Sequence, residues 1–220
     1  MRLFQAAGTA AAIAVLACGC TSADDWSQPR AAGPTPVGAL GAGFVPSAKP
    51  SPEATITPRP GSWDDVHPSK GYRVVLLTAG DDAQTKTLVT AVQDWAKQKH
   101  VSLKTVQASA SDDYIARIGE AMDLHPDLIV AAGNNLVDPL AMVTPNHLDQ
   151  QFLVVGAELA EPTGNVTAAD WTGASFRGEG LGASSSYDPA TFTPSRAAAA
   201  IRAGVASVLT GLTGIVLWLP

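Results

Sequence analysis

From Arg73 onward the sequence alternates two periods, and that alternation limits the fold more than any other feature of the chain. Arg73-Val74-Val75-Leu76-Leu77-Thr78 is a short β-branched run closed by the turn signal Ala79-Gly80. Thr85 to Lys99 then places Leu88, Val92 and Trp95 four and three residues apart, a helical spacing. Val101 to Gln107 alternates like a strand. Ser111-Asp112-Asp113 is placed to cap a second helix with Ile115, Ile118 and Met122 on its apolar stripe. Asp127-Leu128-Ile129-Val130-Ala131-Ala132-Gly133 has the continuous apolar character of a strand buried on both faces. Asp138 to Thr144 is a short helix, Phe152 to Gly156 a fourth strand and Asn165 to Ala169 a weaker fifth. A helix capped by Ser195 runs to Leu209, and Gly214 to Leu219 closes as a sixth strand. Strands separated by helices imply an α/β fold: a doubly wound, mostly parallel sheet with right-handed crossovers and helices on both faces. About 150 residues suffice for one such core.

One segment admits a second reading. Ala203 to Leu219 has no charged residue over 17 positions, the lower limit for a membrane span. Gly211 and Gly214 punctuate it, which a helix–turn–strand accommodates and a spanning helix does not.

The first twenty residues have a different logic. Arg2 precedes an apolar run from Ala6 to Ala17, and small residues lead into Cys18-Gly19-Cys20. This is the layout of a secretory signal. A small residue before cysteine at the end of the apolar run also resembles the lipobox of bacterial lipoproteins. That resemblance implies cleavage of residues 1–19, acylation at Cys20 or alternatively at Cys18, and attachment to the extracytoplasmic face of the cell membrane. Two or more acyl chains make such an anchor stable. No cysteine follows residue 20, so no disulfide can staple the exported domain.

Between anchor and domain, residues 20–69 form the lipidated N-terminus and a linker. Eight prolines lie between Ser27 and Ser62 among Gly, Ala, Ser and Thr. Without an apolar period, this stretch reads as a semi-rigid spacer that lifts the domain, residues 70–220, off the membrane.

The formal charge of −6 becomes about −7 once Arg2 leaves with the signal. An acidic chain without a Lys/Arg patch does not suit nucleic acid. His67, His100, His125 and His147 are scattered without metal-ligand spacing. There is no nucleophile elbow and no phosphate-cradling loop, so neither an enzyme nor a cofactor is expected. Asn165-Val166-Thr167 matches a glycosylation sequon by coincidence, and Ser184-Ser185-Ser186-Tyr187-Asp188 is a loop without an assigned role.

In open α/β sheets ligands sit beyond the carboxyl ends of the strands. The loops there are Gly80-Asp81-Asp82, Gly133-Asn134-Asn135 and Gly156-Ala157-Glu158. Asp81, Asp82, Asn134, Asn135 and Glu158 are therefore the candidate ligand-binding residues. Three carboxylates at one mouth would suit a cationic or polyhydroxyl ligand; the competing reading is that the Asp and Asn pairs only cap and turn.

Several stretches together carry a family resemblance: Asp127 to Gly133, Gln151 to Val155, Asn165-Val166, and Ser175-Phe176-Arg177-Gly178-Glu179-Gly180. They resemble the first lobe of type I periplasmic binding proteins, and within them the basic membrane protein group of ABC-transporter solute-binding lipoproteins. The resemblance implies a membrane-anchored envelope lobe that binds or senses a small polar ligand. The alternative is an interaction or scaffold lipoprotein that kept the fold and lost the ligand. The family holds its ligand between two lobes, and this chain carries one, so a protein partner supplying the second lobe is a further expectation. The loop after the first strand lacks the Phe and Asn of the nucleoside-binding members.

Overall fold

The computed structural model describes residues 26, 33, 35–174 and 187–220. The signal and both cysteines, the segment Ser175 to Gly180 and the serines 184–186 lie outside these residues. The elements run β1 (Pro36–Val37), β2 (Thr55–Ile56), β3 (His67–Pro68), β4 (Arg73–Ala79), α1 (Ala83–Gln98), β5 (Ser102–Ala108), α2 (Tyr114–Asp123), β6 (Leu128–Ala132), α3 (Val137–Val143), β7 (Phe152–Val155), β8 (Val166–Trp171), α4 (Pro194–Leu209) and β9 (Val216–Leu219).

Seven strands form one sheet in the order β2-β9-β8-β7-β6-β4-β5, each pair parallel. The α/β reading and its six strands are thus present, with boundaries displaced by a residue or two. Every residue of β4, β6, β7 and β8 is buried, because helices or loops cover both faces. On one face α1 and α4 pack over Leu76, Val130, Leu153 and Trp171. On the other, α2 and α3 cover Val75, Ile129, Phe152 and Val154. β5 lies at an edge and keeps the half-exposed pattern of its sequence.

Helix α4 lies close to the sheet because Gly204 has no side chain: a Cβ there would fall 2.4 Å from Leu153 Cδ1. The helix stops at Leu209. The Ser207 hydroxyl donates to the Leu212 carbonyl at 2.6 Å, turning the chain toward β9. The apolar stretch 203–219 is therefore helix, turn and strand, and no helix among the described residues is long and apolar enough to cross a membrane.

Three local expectations change. The second helix is not capped through a side chain; Asp113 instead accepts from the Ser109 and Ala110 amides at 3.2 and 3.3 Å. Ile115 is 48% exposed, and the buried stripe of α2 runs through Ile118 and Ala121. Thr193, not Ser195, caps α4, accepting from the Arg196 amide with Pro194 in the first turn.

The largest correction concerns the spacer. Residues 35–69 fold onto the domain. β2 pairs with β9 in the register Thr55↔Val216 and Ile56↔Leu217. Phe44, Ile56, Trp63 and Val66 are buried in the same cluster as the α1–α4 face of the sheet. Phe44 and Trp63 meet edge to face, 6.4 Å between ring centres. Asp64 reaches Arg202 of α4 at 3.5 Å. Proline content hides this because four well-spaced apolar residues need no period to bury: backbone bonds such as Gly41 N–H to the Ser62 carbonyl (2.7 Å) fix the loops instead.

Candidate functional site

Sheet order reverses between β4 and β6: from β4 the chain goes first to β5 on one side and then to β6 on the other. Helices cannot fill the crevice that opens beyond the carboxyl ends at such a reversal. A cavity of about 200 Å³ lies there, lined by Asp82, Thr85, Gly133, Asn134, Asn135 and Tyr187, with Leu88, Gly156 and Phe192 behind. Gly133 sits at φ 119°, and a Cβ there would meet the Ala79 carbonyl at 2.8 Å. Only glycine lets the β6 loop pass so close to the end of β4.

The candidate residues separate here. Asp82, Asn134 and Asn135 come together around the cavity. Asp82 is the N-cap of α1, accepting from the Thr85 amide and the Thr85 hydroxyl, both at 2.8 Å. Burial opposes its ionisation, but those hydrogen bonds outweigh it and hold the carboxyl below its ordinary value. The capping reading is thus realised at Asp82, which still presents charge to the cavity wall. Asn134 opens a single helical turn, Asn134–Leu136, and both Asn134 and Asn135 are exposed. Asp81 is exposed and lines none of the described cavities. Glu158 is also absent from this wall: in the segment that joins β7 to β8, it is 3% exposed. Among the described residues the cavity wall therefore carries Asp82 alone of the three carboxylates, and the argument for a cationic ligand no longer rests on three.

The sequence did not assign two aromatic groups to the mouth. Tyr187 and Phe192 follow β8, with ring centres 5.9 Å apart, and Phe192 stacks edge-on against Trp171 at 5.1 Å. The Trp171 indole donates to the Thr191 hydroxyl at 3.1 Å, which fixes this wall. Burial, and secondarily the Asp82 charge, raise the Tyr187 hydroxyl above its ordinary value, so phenol and carboxylate face the same space. The signal was positional: any strand-to-helix connection in a parallel sheet ends at this mouth, including the one assigned no role.

Glu158 has a different partner, Asp170, near the end of β8 and 1% exposed. Burial pushes Glu158 up to about 7. Burial, then the Glu158 charge, push Asp170 up to about 8, against the lowering effect of the Trp171 amide. Among the described residues Asp170 Oδ1 has no hydrogen-bond partner. Two carboxyls so placed hold at least one proton near neutrality. Among the described residues no group of three or more His, Cys, Asp or Glu side chains is arranged to hold a metal. His100 and His125 are exposed and end α1 and α2 with φ near 50°. Asn165 is buried, its amide 2.9 to 3.2 Å from the Thr144, His147 and Gln150 carbonyls, so the sequon asparagine is a loop clamp.

No protein-family model and no curated protein matches the sequence. Solved structures similar in fold include an ABC-transporter solute-binding protein from Aeropyrum pernix K1, at 19% identity and a TM-score of 0.42, covering 46% of this chain and 29% of that one. A fragment from Peptoclostridium difficile 630 that goes by the name of a lipoprotein is 17% identical, with a TM-score of 0.46, over 63% of this chain and 98% of the fragment. A periplasmic ribose ABC transporter protein from Conexibacter woesei DSM 14684 is 13% identical, with a TM-score of 0.39, over 69% of this chain and 55% of that one. The chain thus spans about a third to a half of the ABC-transporter proteins it matches.

Proposed function

We propose that this chain is a lipid-anchored envelope lobe, of the kind found in the basic membrane protein group, that binds a small polar solute and catalyses no reaction. The observation that carries this reading is the cavity at the sheet reversal, where Asn134 and Asn135 offer donors and acceptors beside the aromatic face of Tyr187. At about 200 Å³ it lies below the roughly 300–1,000 Å³ of sites for drug-sized ligands, which suits a monosaccharide, an amino acid or part of a nucleoside. An aromatic face beside amides fits a ligand with one flat apolar side and polar edges. Ligand sites usually bury most of their ligand, so affinity should rise where a second lobe or another chain covers the mouth.

A thermal-shift screen of sugars, nucleosides, polyamines and amino acids tests this. A saturable shift that Asn134→Ala and Tyr187→Ala abolish, and Asp81→Ala leaves intact, supports the assignment. A shift that survives both substitutions places binding elsewhere. No shift with any class, together with a protein recovered at this face by cross-linking, favours the scaffold reading. Turnover of a solute by the purified protein would overturn both.

A further inference from the structure

Trp26 lies at the opposite pole of the sheet from the cavity. Its indole N–H donates to Ser102 Oγ at 2.8 Å, and Ser102 is the first residue of β5. Its carbonyl accepts from the guanidinium of Arg73, the first residue of β4, at 3.5 Å. The Lys104 ammonium lies 4.6 Å and the Arg73 guanidinium 5.6 Å from the ring centre. Trp26 is 8% exposed, and its ring packs into the core cluster of the α2–α3 face. Parallel strands all begin at one pole and end at the other, so Trp26 itself sits at the starts of the strands.

From Cys20 to Trp26 the chain takes six steps, which reach at most about 22 Å when fully extended. An acyl group at Cys20 would thus lie within that reach of Trp26, not at the far end of a fifty-residue spacer. The corner nearest the clamp is basic. A groove of about 790 Å³ at the end of α1 is bordered by His67, Lys70, Lys99 and His100. Lys70, His100 and Lys104 are exposed, in a chain of net charge −6. Asp127, at the neighbouring strand start, has one carboxylate oxygen accepting from the Arg73 amide at 2.7 Å. Basic side chains at a membrane-proximal surface are attracted to anionic headgroups within a Debye length.

We propose that Trp26 clamps the lipidated tail so that the β4–β5–α1 corner rests against anionic lipid headgroups and the solute cavity faces away from the membrane. This rests on the lipid-anchor reading. The orientation leaves the mouth open to solutes and to a covering partner.

The test uses full-length acylated protein in vesicles of phosphatidylcholine and phosphatidylglycerol that carry a headgroup acceptor dye. The cysteine that is not acylated is replaced by alanine. A donor dye is placed at Q98C or A83C, opposite ends of α1 separated by about 24 Å of helix. Energy transfer from Q98C should exceed that from A83C at least twofold. Trp26→Ala should bring the ratio to about one with unchanged circular dichroism and vesicle retention. K70E/K99E should lower the ratio in phosphatidylglycerol and leave it unchanged in pure phosphatidylcholine. Acylated wild-type protein with equal transfer from both positions, or with more from A83C, overturns the proposal alone. Protein without an acyl mass that leaves the vesicles overturns the anchor reading and this proposal with it.

Discussion

At the residue scale the buried pair Glu158 and Asp170 has a measurable signature. Both carboxyls titrate higher in the folded state, at about 7 and about 8, than the ordinary 4.5 and 3.8. A raised acid pKa means that the native state keeps protons the unfolded chain has lost. The pair's own contribution to stability is then full below about pH 4 and is lost as pH rises toward 8, beyond which it adds no further slope. Asp170→Asn removes the charge and the repulsion, so thermal denaturation should show a flatter pH dependence between 4 and 8 and a Tm above wild type at pH 8. Each pKa unit is worth about 1.4 kcal/mol, and about 1 kcal/mol moves the Tm of a domain this size by roughly 2–4 °C. A parallel pH profile for the variant would show that the pair does not titrate in this range. Little of this was legible in the sequence. The distance of Glu158 from a strand end predicts a mouth residue, whereas its side chain is buried and off the cavity wall, which depends on long-range packing. Asp170 looked like the residue just past a strand, since neither period nor composition shows that β8 extends to Trp171. The cap at Asp82 was legible, because a carboxylate three residues before Thr85 at a helix start is a local pattern.

At the element scale the sequence was informative, because period and turn chemistry are local. β4, β6 and β7 stand out as apolar runs ending in glycine, and helix α1 by its spacing of Leu88, Val92 and Trp95. What local pattern could not supply is the distance between elements. α4 contacts the sheet through Gly204, where all three outer atoms of Leu153, from 2.4 to 3.1 Å, occupy the space of a Cβ. Leu153 is fully buried beneath α4. Gly204→Ala, which raises helix propensity in an exposed position, should here destabilise by about 1–3 kcal/mol through overpacking. Urea denaturation would show this as a lower midpoint at constant slope. A variant more stable than wild type would mean that α4 lies farther from β7. Gly119 of α2 is the internal control, since among the described residues nothing lies within 4 Å of its Cβ position. Gly119→Ala should be neutral to stabilising by up to about 1 kcal/mol.

At the scale of the whole molecule, residues 35–69 are an integral layer of the domain. Phe44, Ile56, Trp63 and Val66 bury against α4 and the sheet, each contributing roughly 1.5–3 kcal/mol before ordering costs. That total is comparable with the net stability of an ordinary domain, about 5–15 kcal/mol. β2 also covers β9, whose Val-Leu-Trp-Leu sequence would otherwise present an unpaired apolar edge. A protein beginning at Lys70, the boundary that composition suggests, should therefore aggregate or melt far below one beginning at Gly33. Adding detergent should not rescue it, because the exposed surface is a sheet edge and half a core, not a membrane helix. Light scattering and thermal denaturation of the two truncations decide the matter. Equal stability and monodispersity would mean that the segment is an ornament on a self-sufficient lobe. Phe44→Ala in the full chain provides the graded version, with an expected loss of about 3–5 kcal/mol if the ring is core and near zero if it is not.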